Sequence, residues 1–256
     1  MSAQFQAVAD HFSKASESYF AAARLQQQTG YAALQLLPAY LAGELLDLGC
    51  GPAWLHPELA TRCQSLIAVD LSEGMLEKAK QQQLAAHYIQ ADAAALPLAD
   101  ASIAGVFSNL MLQWCPQPEQ VSRELARVCK PGASLVITTL LDGTLRELKR
   151  AFQQLDTEPH VNDFLPAEVL LERLKAESPD IEWHLQIHSM PLPYPDVLAL
   201  ARELKSLGAN YVVGKTSKGL TGKQYWQRLS AAYPLHDTNE QLLASYEVGV
   251  LTGARR

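Results

Sequence analysis

The residues of this sequence with the clearest chemistry are two glycines and an acid that follows them. Gly49 and Gly51 come directly after an apolar run that contains leucine at positions 45, 46 and 48. A glycine turn between a buried strand and a helix presents free backbone N–H groups and attracts an anionic group. Asp70 ends the next apolar run, about 20 residues later, where a carboxylate can accept hydrogen bonds from the ribose hydroxyls of an adenosine. The pattern predicts an adenosine-containing ligand; the alternative is that Asp70 caps the helix that begins near Ser72.

The spacing of the glycines distinguishes two classes of cofactor. A dinucleotide-binding loop has the pattern G-x-G-x-x-G, but the third glycine would fall at position 54, which is Trp54. The run L-D-L-G-C-G-P at positions 46–52 instead resembles the first motif of class I S-adenosylmethionine (SAM) methyltransferases. That motif usually ends in one more glycine, and this chain has Ala53 there. SAM is therefore the expected cofactor, with a chance glycine turn in another α/β fold as the alternative.

The resemblance to SAM methyltransferases implies a set of cofactor contacts. Asp47 lies beside the methionine end of the cofactor in related enzymes, and Asp92 with Ala93 matches the position that bonds the adenine edge. Met75 is expected on the inner face of its helix, where it can contact the adenine. Gln26 is on the N-terminal arm, and an ordinary surface amide is its alternative role. The expected cofactor-binding residues are Asp47, Gly49, Gly51, Asp70, Leu71, Met75, Asp92, Ala93, Asn109 and Gln26.

Composition and charge argue against several classes of protein. The 256 residues are 48% apolar and 19% charged, as in an ordinary soluble globular protein. A net charge of −6 argues against a general nucleic-acid binder. No apolar run reaches about 18 residues and residues 1–14 lack an apolar signal region, so we expect a cytoplasmic protein with no membrane partner. The four cysteines form no C-x-x-C pair and are interpreted as reduced thiols; His184 and His188 are expected to be solvated, and no metal is expected.

The hydrophobic pattern predicts an α/β fold in which strands and helices alternate. The resemblance implies a Rossmann-like, seven-stranded SAM methyltransferase sheet with flanking helices, an N-terminal helical arm and a small cap insertion. We expect one domain, with the arm at 1–40, a SAM-binding core at 41–156, later core elements and the cap at 157–241, and a closing, antiparallel strand at 242–256. After the first strand, the predicted strands are 65–70, 88–92, 102–108, 134–140, 181–189 and 242–251. The predicted helices are 4–37, 54–63, 72–84, 118–129, 143–155, 167–176, 195–207 and 223–232, with a turn at 130–132.

A basic stretch lies in the predicted cap. Between positions 202 and 228 the chain has six basic residues and one acid, Glu203, for a net charge of +5, which leaves −11 for the rest. The basic residues are Arg202, Lys205, Lys215, Lys218, Lys223 and Arg228. On charge alone, two interpretations stay open: a solvated cap, or a docking face for an acidic partner.

Nearly the whole chain resembles one family, the malonyl-[acyl-carrier protein] O-methyltransferases of biotin synthesis. The most specific mark is the stretch Arg202–Ala209, which generic methyltransferases lack. The other marks are Phe12–Ala15, Ser18-Tyr19, Leu25-Gln26, the loop Leu46–Pro52, Asn109 through Trp114-Cys115, and Thr138–Leu140.

The family resemblance implies an activity and roles for further residues. It implies methyl transfer from SAM to the free carboxylate of malonyl-acyl-carrier protein, or malonyl-coenzyme A, giving S-adenosylhomocysteine and the malonyl methyl ester that starts pimeloyl synthesis. Arg202 matches the carboxylate-binding arginine of the family, and Tyr19 matches a tyrosine that lines the site from the arm. Trp114 and Lys205 are expected at the substrate, although Trp114 as plain core is the alternative. Two other functions remain open: a methyltransferase of trans-aconitate or a quinone precursor, or a SAM-binding protein without turnover.

Overall fold

A computed structural model gives the structure of this protein, and it describes residues 3–15, 23–208 and 222–256. The strands are β1 (Leu41–Leu48), β2 (Cys63–Asp70), β3 (His87–Gln90), β4 (Ile103–Asn109), β5 (Cys129–Leu140), β6 (Ile181–Tyr194) and β7 (Leu242–Arg255). The helices are α1 (Ala3–Ala15), α2 (Arg24–Leu34), α3 (His56–Ala60), α4 (Glu73–Lys80), α5 (Pro118–Val128), α6 (Arg146–Gln153), α7 (Ala167–Glu177), α8 (Val197–Ser206) and α9 (Lys223–Ala231). A single 3₁₀ turn, Leu112–Trp114, follows β4.

The described strands form one seven-stranded sheet in the order β3-β2-β1-β4-β5-β7-β6. The first five strands in this order are parallel, and β7 is antiparallel to both β5 and β6. The chain runs outward from β1 to β3 and then returns to the other side of β1 at β4. In open α/β sheets a ligand binds at such a switch point, outside the carboxyl ends of the strands. The predicted Rossmann-like fold, including the antiparallel closing strand, is confirmed.

Both faces of the central strands are buried, which explains their unbroken apolar runs. Along β1, Leu46 and Leu48 pack into the core beneath α5 and α7, whereas Leu45 points into the core beneath α2 and α3. All three leucines are at most 1% exposed. The sheet therefore holds the end of β1, where the glycine loop begins, between two packed layers of helices.

Two helix predictions near the N-terminus are wrong in their extent. The continuous helix over 4–37 is interrupted, because Ala23 has φ −86° and ψ 43° and α2 begins only at Arg24. The predicted crossover helix over 54–63 is reduced to five residues, His56–Ala60. Pro57 has no backbone N–H and is tolerated only in the first turn, so this helix cannot begin much before it. Cys63 already belongs to β2.

Two further details of the sheet differ from the prediction. The expected turn at Lys130–Gly132 lies within β5, where the pairing with β4 shifts register and Gly132 has φ +83°. Apolar and polar residues alternate along the stretch 181–188, which predicts a buried face that includes Ile187, but Ile187 is 56% exposed. Because β6 is an edge strand and α7 covers only its beginning, near Ile181 and Trp183, its later residues are left in solvent. His184 is exposed, as expected.

The cap is inserted between the last two strands of the sheet. Helices α8 and α9 belong to the segment 195–241, and the residues on either side of that segment, Tyr194 and Leu242, are paired with each other in the β6–β7 ladder. Val197, Leu200 and Leu229 of the two helices are buried against the end of the sheet with Tyr246 of β7. The cap thus covers one end of the sheet without interrupting it.

No helix within the described residues is long and apolar enough to cross a membrane. The four cysteines are free thiols, and three of them are buried.

Candidate active site

The main cleft lies at the carboxyl ends of β1, β2 and β4, and α1 closes one side of it. It encloses about 750 Å³ of space, part of which is open to solvent. The structure brings these predicted site residues together in its wall: Gly49, Gly51, Asp70, Leu71, Met75, Asp92, Ala93, Asn109 and Trp114. Residues Val8, Ala9 and Phe12 of α1, part of the N-terminal arm, also line the cleft, although none of them was among the predicted site residues. Phe12 belongs to the family mark Phe12–Ala15, whereas no motif marks Val8 or Ala9 and only their apolar character indicated burial.

The glycine loop is shaped by backbone angles that favour glycine. Gly49 has φ +75°, and a Cβ at this position would lie 2.4 Å from Cγ of Met111. Gly51 has φ +54°, and a Cβ there would enter open space within the cleft wall. The loop therefore lets a ligand approach the backbone closely, which is the role expected of glycines in a nucleotide-binding turn. Ala53, in place of the usual glycine, has φ +63° and is buried.

Asp70 connects the glycine loop to the start of α4. Its Oδ2 accepts a hydrogen bond from the Gly51 N–H (2.8 Å), and its Oδ1 accepts one from the Ser72 N–H (2.8 Å). Ser72, and not Asp70, caps α4, because its Oγ accepts the Met75 N–H at 3.3 Å. Burial raises the pKa of the Asp70 carboxyl to about 6, although the backbone N–H groups oppose that shift. The arrangement leaves further lone pairs of the carboxylate for hydroxyl donors in the cleft.

Asp92 and Met75 line the same cleft. Asp92 lies two residues beyond the end of β3, and its Oδ1 accepts the Ala94 N–H at 2.9 Å. Met75 is 1% exposed and lies on the inner face of α4, as predicted. An apolar side chain and a carboxylate in one cleft are the types of group expected at the face and at the polar edge of an adenine, the role that the sequence predicts for these two residues.

Asn109 joins three elements. Its Oδ1 accepts hydrogen bonds from Thr29 Oγ1 (2.8 Å) and Thr138 Oγ1 (2.7 Å), and its Nδ2 donates to the Gln26 carbonyl at 2.9 Å. The amide therefore ties α2 to β4 and β5 while it lines the cleft. Gln26 does not line the main cleft; its side-chain Oε1 is buried and has no hydrogen-bond partner in the part of the chain that the structure describes. The sequence could not show these pairs, because Thr29 and Asn109 are 80 positions apart.

Asp47 does not line the main cleft. It lies in a smaller cleft behind the glycine loop, which shares Gly49, Gly51 and Asn109 with the main one. Its Oδ2 accepts a hydrogen bond from Nε2 of the buried His56 at 3.1 Å. The sequence prediction missed His56, since a histidine nine residues after an acid is not a known motif.

Trp114 lies where three clefts meet. It lines the main cleft, a second cleft beside Thr139 and Asn162, and a third beneath the cap. Its ring packs edge-on against Phe12 of α1, with the ring centroids 5.3 Å apart. Trp114 is half-buried and so separates the main cleft from the spaces around it, which agrees better with a wall residue than with plain core.

The remaining predicted residues lie outside the clefts or outside the described part of the chain. Arg202 and Lys205 are exposed on α8, and neither lines a cleft among the described residues. Tyr19 falls in 16–22, and Lys215 and Lys218 fall in 209–221, both of which lie outside the described residues. Within the described residues, no group of acids, histidines and cysteines could hold a metal ion.

An ion-pair cluster that the sequence did not reveal holds the cap to the arm. Nε of Arg24 donates to Glu203 Oε2 at 2.9 Å, and the Tyr194 hydroxyl donates to Glu203 Oε1 at 2.7 Å. Arg24 also lies over the Tyr194 ring, 4.5 Å from its centroid. Glu203, the one acid of the basic stretch, thus joins α8 to α2 and β6.

The sheet order and the cleft at the glycine loop are those expected of the Rossmann-like, SAM-dependent methyltransferases. Residues 46–137 match the family described as Methyltransferase domain. Among solved structures, the chain is similar to the YcgJ protein of Bacillus subtilis (TM-score 0.65, 14% identity, 90% of this chain and 99% of that one). It is also similar to a putative methyltransferase of Bacillus halodurans (TM-score 0.62, 16% identity, 88% and 97%). At these identities the structural matches show the fold alone.

Curated relatives define the family more narrowly. The chain is 37% identical to the malonyl-[acyl-carrier protein] O-methyltransferase of Yersinia pestis, over 96% of this chain and 91% of that protein. It is 37% identical to the Serratia marcescens protein of the same name, over 96% and 95%. A biotin biosynthesis bifunctional protein of Cellvibrio japonicus is 40% identical, and the match covers 94% of this chain but 48% of that longer protein. The chain belongs to the malonyl-[acyl-carrier protein] O-methyltransferase family, which confirms the resemblance identified from the sequence.

Proposed function

We propose that this chain transfers a methyl group from SAM to the free carboxylate of malonyl-acyl-carrier protein. The observation that carries the proposal is the identity of 33–39% to relatives that bear this name, over 89–96% of the chain. The cleft supports it, because its glycine loop, Asp70, Met75 and Asp92 suit an adenosine. The products are S-adenosylhomocysteine and the malonyl methyl ester.

This reaction does not require the protein to transfer a proton. Bound SAM supplies a methyl carbon made electrophilic by its sulfonium. A carboxylate oxygen forms the new bond to that carbon as the carbon–sulfur bond breaks, so the two charges disappear and no proton moves. The side chains of the site therefore act by binding, aligning and drying the reactants, and alignment can contribute roughly 7–11 kcal/mol in the best cases.

The space beneath the cap is the best place for the malonyl group. This cleft encloses about 990 Å³, part of it open to solvent, and it shares Trp114 with the main cleft. Phe152 and Leu204 are among its apolar lining residues, and His160 and Tyr246 are among the polar ones. His160 is stacked on Phe152, with ring centroids 3.9 Å apart, and its Nε2 bonds to Asp156 at 2.8 Å. An acyl group here would lie beside the wall of the methyl-donor site.

The exposed position of Arg202 leaves two roles for its guanidinium. It can bind the malonyl carboxylate if α8 and its neighbours bring it to the cleft, or it can contact an acidic carrier at the surface. The face of α8 that lines the cleft carries Val197, Ala201 and Leu204, whereas Arg202 and Lys205 are exposed. This arrangement favours the carrier contact for both residues.

A radiolabelled methyl-transfer assay tests the proposed function. The protein is incubated with methyl-labelled SAM and malonyl-, succinyl- or acetyl-carrier protein, and base-labile label on the carrier is counted. We expect label on the malonyl carrier and none on the acetyl carrier, which has no free carboxylate. Failure to label the malonyl carrier, or equal labelling of the acetyl carrier, would refute the proposal. Malonyl-coenzyme A in the same assay shows whether the carrier is required.

A further inference from the structure

The small cleft behind the glycine loop has one carboxylate among the described residues that line it, that of Asp47. The backbone of Asp47 is held from both sides, because it pairs with Ala68 of β2 and with Phe107 of β4. Only the side-chain torsions are left to decide where the carboxylate points. Its Oδ2 accepts the bond from His56, and its Oδ1 has no hydrogen bond to any described residue.

His56 is unusually placed for a polar residue. It is the first residue of α3, and its side chain has no exposed surface. One ring nitrogen, Nε2, bonds to Asp47, whereas the other, Nδ1, is buried and has no hydrogen-bond partner among the described residues. If the proton were on Nδ1, a buried N–H would have no acceptor, which costs more free energy than leaving a ring-nitrogen lone pair without a donor. The hydrogen-bond pattern therefore assigns the proton to Nε2. His56 therefore donates from Nε2, and Asp47 is its one hydrogen-bond partner among the described residues.

A single buried donor of this kind fixes a carboxylate in one orientation. The Asp47 side chain is 7% exposed, and a hydrogen bond to a charged group typically contributes about 1.5–3 kcal/mol. With Oδ2 held by His56, Oδ1 is available to a cationic ligand group that enters the cleft. Because this cleft shares Gly49 and Gly51 with the main cleft, a ligand that occupies both lies across the glycine loop.

We propose that His56 is a positioning residue that aims the Asp47 carboxylate at the ammonium group of the amino-acid part of SAM. The inference rests on the proposed function in so far as it takes SAM to be the methyl donor. The adenosine part is held elsewhere, at Asp70 and Asp92, so the two ends of the cofactor depend on different residues.

Calorimetry with two ligands measures separately how much the amino-acid part and the adenosine part of the cofactor contribute to binding. S-adenosylhomocysteine carries the amino-acid part, whereas 5′-methylthioadenosine keeps the adenosine and the thioether but lacks it. For His56→Leu we expect affinity for S-adenosylhomocysteine to fall by about tenfold, with affinity for 5′-methylthioadenosine changed less than about twofold. His56→Gln, whose Nε2 can replace the imidazole Nε2, should recover most of the loss. Asp47→Asn should show the same selective loss.

The outcomes distinguish this proposal from a structural role and from the proposed function. Equal weakening of both ligands, or unchanged affinity of folded His56→Leu for S-adenosylhomocysteine, would mean that His56 supports only the fold. If His56→Leu does not fold, His56→Asn replaces it, because its amide is too short to reach Asp47 and the same selectivity is expected. Wild-type protein that binds neither ligand would instead remove SAM as the methyl donor.

Discussion

Asp70 links the glycine loop to α4, and its raised pKa makes that link sensitive to pH. In the folded protein the carboxyl has a pKa of about 6, because burial disfavours its charge, whereas an unfolded chain gives about 3.9. As pH falls from 7 to 5, the folded state therefore takes up a proton that the unfolded state does not. Protonation of Asp70, taken alone, therefore increases the stability of the folded state as the pH falls. The protonated carboxyl, however, has lost a hydrogen-bond acceptor that a ligand could use.

We therefore expect affinity for S-adenosylhomocysteine to fall by about tenfold between pH 7 and pH 5, since one unit below its pKa about a tenth of a carboxyl is ionised. Isothermal titration calorimetry at several pH values measures this. Asp70→Asn is the control: it should bind more weakly at pH 7, and its affinity should vary less with pH. A pH profile of Asp70→Asn parallel to that of the wild type would assign the effect to another group.

Ala53 is a second residue with a clear prediction, because it has φ +63° where related loops have glycine. A left-handed conformation costs a residue with a Cβ about 1–2 kcal/mol, part of which the entropy of glycine in the unfolded chain offsets. Ala53→Gly should therefore increase the free energy of unfolding by about 0.5–1 kcal/mol, as measured by urea denaturation. Ala126→Gly, in the ordinary helix α5, should lower it by about the same amount. A loss of stability in Ala53→Gly would show that the buried methyl group outweighs the backbone strain.

At the scale of elements, the sequence predicted what apolar runs and local caps determine. The central strands followed from leucine- and valine-rich runs, and the start of α4 followed from Ser72. The length of α3 could not be read from periodicity, because Pro57 and the early start of β2 decide it. The site was predicted where one motif holds the residues, as at Gly49 and Asp70. It was missed at His56, because a histidine nine residues after an acid is not a known motif, and at the Thr29–Asn109 bond, because no local pattern records a contact between residues 80 positions apart.

Helix α8 has two faces that should be separable by experiment. Its apolar face lines the cleft beneath the cap, and its exposed face carries Arg202 and Lys205. If the exposed face contacts an acidic carrier, Arg202→Ala and Lys205→Ala should raise KM for malonyl-carrier protein and reduce its salt dependence. Activity with malonyl-coenzyme A should then stay close to that of the wild type.

The radiolabelled methyl-transfer assay, run with both malonyl substrates at two ionic strengths, also tests whether Arg202 binds the malonyl carboxylate. If its guanidinium holds the malonyl carboxylate, Arg202→Ala should impair both substrates alike and Arg202→Lys should restore little, because a point charge cannot replace the planar fork. Lys80→Ala, an exposed lysine on α4, is the matched control and should change neither substrate. Full activity of Arg202→Ala with both substrates would contradict both roles.

For the molecule as a whole, ligand binding and folding should be linked. A ligand at 100 times its dissociation constant stabilises the folded state by about 2.7 kcal/mol, which corresponds to a rise in Tm of roughly 5–10 °C for a chain of this size. S-adenosylhomocysteine should produce such a shift in a thermal denaturation experiment. NAD at the same concentration should not, because Trp54 stands where a dinucleotide loop needs its third glycine. A shift with NAD alone would overturn the interpretation of the loop.

The pairing of Tyr194 with Leu242 has a consequence for how this fold can change over evolution. The cap leaves the sheet and returns to it at two residues that face each other in the β6–β7 ladder, so the sheet itself closes the loop. The entropy of closing such a loop rises only slowly with its length, by about 0.6 kcal/mol for each doubling. Segment 195–241 can therefore be lengthened, shortened or exchanged at little cost to the seven strands. The preference for the acyl group could then change through substitutions within one continuous segment of the gene. The residues that bind the methyl donor are encoded upstream of that segment and would stay the same.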